Sequence, residues 1–235
     1  MYLSGKGDFM ATIIDGIEYV LISKNNGDCI AAVQDIVVSQ RSRTKEVTIP
    51  ASVEGFPVTS ILQDAFQDAS WIEKINLPHT ICSIGPGAFD NCKKLKQVHI
   101  ACHSMQVQIH RNAFSRCWNL EEITVEYDSV LSLNGPGIFK ECANLKHLPM
   151  LIGDIPDYTF LRCGIQSVAI LGEVNLNVLG FYDSNVKDIC CERLETIQGE
   201  ENRIANICIK AEESSPMLEY LAYNGYPVAV NSQLY

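Results

Sequence analysis

The chain has 235 residues, 47% hydrophobic and 20% charged, a composition that supports a folded globular protein and argues against disorder. Its 18 basic and 28 acidic residues leave a net charge of −10, which repels phosphate backbones and anionic lipid surfaces and so argues against nucleic-acid binding. No apolar run approaches the roughly 20 residues needed to span a bilayer, so no membrane insertion is expected, and Met1 to Phe9 lacks the charged and apolar regions of a secretory signal.

Residues 10–34 carry two hairpin signals, Asp15-Gly16 and Asn26-Gly27, between apolar runs. They predict an antiparallel meander, so residues 1–44 are read as an N-terminal β cap. Val47-Thr-Ile-Pro50 follows as a first strand, and residues 45–209 repeat. Phe66, Phe89, Phe114, Phe139, Phe160 and Phe181 recur at steps of 23, 25, 25, 21 and 21 residues. Cys92, Cys117, Cys142 and Cys163 stand three residues after a phenylalanine, with Ala69 and Ser184 in the other two copies. Apolar triplets follow, from Ile72, Ile75 and Leu77 through Leu120, Ile123 and Val125 and Leu145, Leu148 and Met150 to Val186, Ile189 and Cys191. Ile84, Ile109, Ile155 and Leu176 precede their phenylalanines by five residues.

Alternation within each triplet is strand periodicity. One strand per 21–25 residues is a solenoid period, in which no rung buries its apolar positions alone but stacked rungs bury ladders of phenylalanine, cysteine and aliphatic side chains. Beyond the repeats, Ser215-Pro216 reads as an N-cap and first helical residue, and Gly225 as a helix stop. A short helix near 216–223 and a strand near 226–230 would form the C-terminal cap, 210–235. No linker or composition break interrupts the chain, so 1–235 is read as one domain.

The unit, seen in Ile84-Gly-Pro-Gly-Ala-Phe-Asp-Asn-Cys-Lys-Lys-Leu95, resembles the BspA-like class of leucine-rich repeats from about Val47 to Ile209. The resemblance implies a leucine-rich repeat solenoid of α/β type, mostly β and irregular. Such a fold is a right-handed curved stack with one parallel concave β-sheet. The asparagine ladder of ordinary leucine-rich repeats is absent, because Thr80, His103 and Asp128 occupy its positions. Residues 130–137 stretch the pattern by one residue. The resemblance further implies a non-catalytic protein–protein interaction module, a cell-surface adhesion or host-interaction protein, whose unidentified partner is a host or cell-envelope protein. It places the chain at the cell surface or outside the cell. A surface glycan binder and an intracellular scaffold are the alternatives.

Enzyme motifs are missing: there is no P-loop, no G-x-S-x-G, no H-E-x-x-H and no C-x-x-C. Gly5-Lys-Gly7 and Gly85-Pro-Gly87 lack the rest of a phosphate loop, and the latter reads as the turn before Phe89. No cofactor is implied. The repeat-locked cysteines read as small buried hydrophobes, while Cys190 and Cys208 would face outward as the more reactive thiols. Cys102-His103 with His110 does not match a zinc spacing and reads as a surface loop. Trp71 and Trp118 flank ladder positions, as partner anchors or as packing between rungs.

Alternation also names the residues that face out of the strands: Glu46 and Thr48, Lys74 and Asn76, Gln97 and His99, Glu122 and Thr124, His147 and Pro149, Ser167 and Ala169, Asp188 and Cys190, Asn206 and Cys208. Solenoids bind partners on extended concave surfaces. The candidate partner-binding residues are therefore Lys74, Asn76, Gln97, His99, Glu122, Thr124 and His147, on a chain read as a monomer. An ordinary solvated sheet face would show the same alternation. The acidic net charge favours a partner surface with some basic character.

Overall fold

The computed structural model describes residues 11–23, 29–36, 45–102, 106–126, 129–200, 204 and 206–230. Three antiparallel strands open it: β1 (Ala11–Ile14), β2 (Ile17–Ser23) and β3 (Cys29–Ile36). Asp15 and Gly16 make the first hairpin with φ of 51° and 78°, the two left-handed residues of a tight β-turn. Asn26-Gly27 lies outside the described residues.

Each rung then has three walls. A front strand supplies the first: β4 (Glu46–Thr48), then, after the hairpin strand β5 (Ser52–Val53) and β6 (Phe56–Ile61), β7 (Lys74–Leu77). A back strand supplies the second: β6 in the first rung and β8 (Ser83–Ile84) in the next. β9 (Gln97–Ile100) is front, β10 (Gln106–His110) back, β11 (Glu122–Val125) front, β12 (Val130–Asn134) and β13 (Leu151–Ile152) back. In the front sheet β4, β7, β9 and β11 pair in parallel, with an isolated bridge from Glu122 to His147. β14 (Ser167–Asn177) and β15 (Asp188–Gln198) are 11 residues each and run through both walls, and β16 (Cys208–Ala211) and β17 (Val228–Val230) extend the same sheet. The solenoid's parallel strand stack is thus carried by two sheets. β5 pairs with β6 around Glu54-Gly55, a second left-handed turn without the Asn-Gly or Asp-Gly signal.

The third wall is the phenylalanine turn. All six rings are buried and stack face to face, with centroids 5.0, 5.2, 5.9, 6.0 and 5.5 Å apart along the chain. The backbone holds the spacing. Asp64, Phe66 and Asp68 donate their N–H groups to the carbonyls of Pro86, Ala88 and Asp90, and the same pattern returns from rung to rung. Aiming alternate N–H groups at the next rung needs left-handed residues two before and two after the ring: Asp64, Asn112, Tyr158 before, and Asp68, Asn91, Arg116, Glu141, Arg162, Asp183 after. Each costs about 1–2 kcal/mol where it is not glycine, so the ladder bonds and buried rings must over-determine them. Gly87 and Gly137 fill two of these positions at φ of 62° and 70°. Gly85 is required for another reason: a Cβ there would stand 2.8 Å from the Ile61 carbonyl. Gly85-Pro-Gly87 is therefore the turn that the sequence suggests.

The cysteines join the same wall. Cys92, Cys117 and Cys142 are buried, and each thiol donates to the carbonyl of the previous rung's phenylalanine, Phe66, Phe89 and Phe114, at 3.0–3.1 Å. Burial pushes the Cys117 and Cys142 thiols far up and Cys163 to about 12, so all three are inert thiols. Several polar side chains bond to the backbone of the previous rung. Thr80 Oγ1 donates to Val58 O at 2.6 Å, Ser129 Oγ to Cys102 O at 3.1 Å, and Asn119 and Asn185 to the Lys93 and Cys163 carbonyls. His103 and Asp128 lie outside the described residues.

Two expected placements are corrected. Met150 is 38% exposed rather than an aliphatic rung position; Leu148 is half-buried, and Leu151 is the buried side chain, paired with Leu131 and Ile170. Pro149, without an N–H, cannot keep the strand in register there. At the C-terminus the helix is α1 (Pro216–Tyr223), ended by Gly225 at φ 78°, and β17 follows. Ser215 occupies the N-cap but its hydroxyl accepts from Leu194 N–H on β15 at 3.1 Å instead of capping. One hydrophobic core runs from Ile17 to Leu221.

Phe114 has stacked neighbours on both sides, so Phe114→Ala should cost roughly 3–5 kcal/mol. Urea melts showing less than about 1 kcal/mol would remove it from the core.

Candidate functional site

Strand pairing settles which outward residues stand side by side. On the front sheet, Glu46, Lys74, Gln97, Glu122 and His147 form one column, and Thr48, Asn76, His99 and Thr124 the next. All seven candidate residues lie in these two columns, as alternation predicts. The last column is the exception. Cys208 pairs with Asp188 and Lys210 with Cys190, so the outward pair on β16 is Cys208 and Lys210, while Asn206 sits in the preceding turn. The two-residue shift arises because Ile207 and Ile209 both face the core, and periodicity alone did not say which begins the strand.

Neighbours within the columns bond to one another. Lys74 Nζ lies 3.0 Å from Glu46 Oε1, and Asn76 Nδ2 donates to Glu46 Oε1 at 2.8 Å and Thr48 Oγ1 at 3.1 Å. Gln97 Nε2 donates to Glu122 Oε1 at 2.8 Å; His99 Nδ1 is 3.0 Å from Thr124 Oγ1 and its Nε2 is 3.4 Å from Glu126 Oε1. His147 is exposed at the end of its column.

Beside them runs an edge column of alternating sign, Lys45, Glu73, Lys96, Glu121 and Lys146, then Gln166 and Lys187. Glu73 bridges Lys45 at 2.8 Å and Lys96 at 3.0 Å. Hydrogen bonds from these two ammonium groups hold its carboxyl down at about 2, and the bond to Glu73 raises Lys45. Beyond His147 a cleft of about 440 Å³ opens, lined by Lys146, His147, Leu148, Gly164, Gln166 and Ser167. A second, of about 280 Å³, lies on the turn side among Asn112, Pro136, Gly137, Lys140, Tyr158 and Leu161.

The remaining candidates separate cleanly. All ten cysteines are unpaired; Cys29, Cys82, Cys190 and Cys208 are half-buried and the rest buried. Burial raises Cys190, opposed by the Lys210 charge, and pushes Cys191 up to about 12. Cys102 is buried, His110 closes β10 opposite Asn134, and His103 is not described. Among the described residues no three His, Cys, Asp or Glu side chains are grouped to hold a metal, and no helix is long and apolar enough to cross a membrane. Trp71 packs on the core, and its buried indole N–H has no acceptor among the described residues. Trp118 is 44% exposed beneath Lys93, whose Nζ lies 4.9 Å from the ring centroid. Sequence reasoning missed the edge column and the cleft, although lysine and glutamate at one repeat position were a signal for the first.

Stacked parallel rungs with a buried phenylalanine turn define a leucine-rich repeat solenoid. The chain belongs to the BspA type leucine rich repeat region family, whose profile matches residues 59–187 in 6 copies, more than half of the sequence. Solved structures that share the fold include two that align over most of this chain. A leucine rich cell surface protein from Faecalibacterium prausnitzii A2-165 is 20% identical with a TM-score of 0.63, over 90% of this chain and 56% of its own. The T. pallidum leucine rich repeat protein is 18% identical with a TM-score of 0.63, over 94% of this chain and 98% of its own. The chain therefore spans about half the length of the first. No curated protein matches it. The family suggests a protein-interaction module, on a fold that is generally non-enzymatic.

Two outcomes follow. Native maleimide labelling should modify Cys29, Cys82, Cys190 and Cys208 and spare the six buried thiols, read by mass spectrometry before and after denaturation. The Glu73 carboxyl is depressed in the folded state, so its contribution to stability is present above its ordinary value of 4.5 and is lost as pH falls towards 2. Glu73→Gln should flatten the acid-unfolding curve in that window, and high salt should shrink the difference because both lysine partners are exposed to solvent.

Proposed function

We propose that the protein is a non-catalytic binding module that holds a protein partner on the front face through Lys74, Asn76, Gln97, His99, Glu122, Thr124 and His147. The observation that carries this reading is the pair of adjacent polar columns, set on a parallel sheet and hydrogen-bonded from strand to strand. Prearranged donors and acceptors lose little side-chain entropy when a partner docks. The cell-surface setting of the similar Faecalibacterium protein supports a cell-envelope or host protein as partner, bound by a monomer of this chain. A second reading, an internal scaffold, is favoured by one fact: all ten cysteines are unpaired thiols, as a reducing compartment keeps them.

A photo-crosslinking amino acid placed at Gln97 or Thr124 should give adducts with a partner when incubated with envelope or host-cell proteins. One placed at Gln108, on the back wall, should not. Lys74→Glu with Glu122→Lys should abolish the front adducts while leaving the melting curve unchanged. Equal adducts from Gln108 would move the site off the front face.

A further inference from the structure

One backbone bond marks each rung boundary along the edge column. Glu73 N–H donates to Lys45 O, Lys96 to Glu73, Glu121 to Lys96 and Lys146 to Glu121, at 2.7–2.8 Å; further on, Lys187 donates to Gln166 and Cys208 to Lys187. The step from Gln166 to Lys146 is missing. Among the described residues, Lys146 O has no backbone donor and the N–H groups of Gln166 and Ser167 have no acceptor. The rungs touch on either side of this seam: Gly164 N–H donates to Cys142 O at 3.0 Å, and β13 pairs with β14 through Leu151 and Ile170. The gap is therefore local, and it is the 440 Å³ cleft, far larger than the roughly 30 Å³ a water takes.

The charge alternation fails at the same place. Lysine and glutamate alternate from Lys45 to Lys146, but Gln166 stands where the next acid belongs. Among the described residues neither Lys146 nor Lys187 has an ion-pair partner. The half-buried Leu148 adds an apolar lining to the cleft. A missing backbone bond, a missing carboxylate and an apolar lining describe one ligand.

We propose that an extended acidic peptide of the protein partner lies across the front of the seam and dips one residue into it, because direct pairing closes the seam at both ends. That residue's carbonyl accepts from the Gln166 and Ser167 N–H groups, and its N–H donates to Lys146 O. Its carboxylate pairs with Lys146 and accepts from the Gln166 amide, as Glu122 accepts from Gln97. An aliphatic side chain two residues later meets Leu148. The chain's net charge of −10 opposes the approach of an acidic peptide, weakly at physiological salt, where charges beyond about 8 Å are screened, and Lys146 supplies the local cation. The inference rests on the front-face reading and names the chemistry of its partner.

The fourth rung itself contains such a strand, Leu120-Glu-Glu-Ile-Thr-Val125, and a fluorescent peptide of that sequence is the probe. Titrated with the full chain, it should show saturable anisotropy. Lys146→Glu and Gln166→Glu, both at exposed positions, should each weaken binding by roughly tenfold with melting unchanged. N-methylating the peptide backbone should weaken it as much, which a purely ionic contact would not show. No binding up to about 1 mM, or binding indifferent to both substitutions and to methylation, would overturn the proposal. So would self-association of the chain that the peptide fails to displace. If the peptide fails while Gln97 still crosslinks, the seam falls and the front-face reading stands; if both fail, both fall.

Discussion

Every wall of this molecule depends on the backbone bond that links a phenylalanine turn to the next one. Without it the rings would have no fixed spacing, and the left-handed residues on either side would relax to ordinary turns. With it, six rings stack 5.0–6.0 Å apart and the cysteine thiols find the previous rung's carbonyls. The rung is unstable alone because its apolar positions outnumber what one turn can cover. The stack is stable because each turn covers its neighbour. Local backbone strain is held in place by non-local burial, which explains why residues as bulky as Tyr158 and Arg162 sit where glycine is the easier choice.

The front face applies the same logic to polar groups. Its columns bond along the stack, from Glu46 to Thr124, so most of its donors and acceptors already have partners. Such a face is ordered but offers a partner exchange of bonds more than new ones. The seam beside His147 differs, because there the backbone itself is left open. The two proposals are consequently graded by chemistry. The columns supply shape and specificity, and the seam supplies unsatisfied groups that a strand would satisfy.

Family membership accounts for the scaffold and leaves the ligand to this chain's own residues. The seam coincides with Pro149, with the shortened fifth and sixth rungs, and with glutamine in place of an acid at 166. None of these belongs to the repeated pattern. Departures from a repeat are where a solenoid acquires an individual surface, since the repeated positions are committed to stacking.

The primary sequence by itself determined the period, the three ladders, the β cap with its Asp15-Gly16 turn, α1, and the two polar columns. Each of these follows from local periodicity or turn chemistry. It could not place Met150 or Asn206, because both follow a break in register, and register is decided by which strand a residue pairs with. It could not show that the strands divide between two sheets, nor that one rung boundary lacks its bond. Those depend on distances between residues 20 or more apart in sequence, and only the stacked structure brings such residues together.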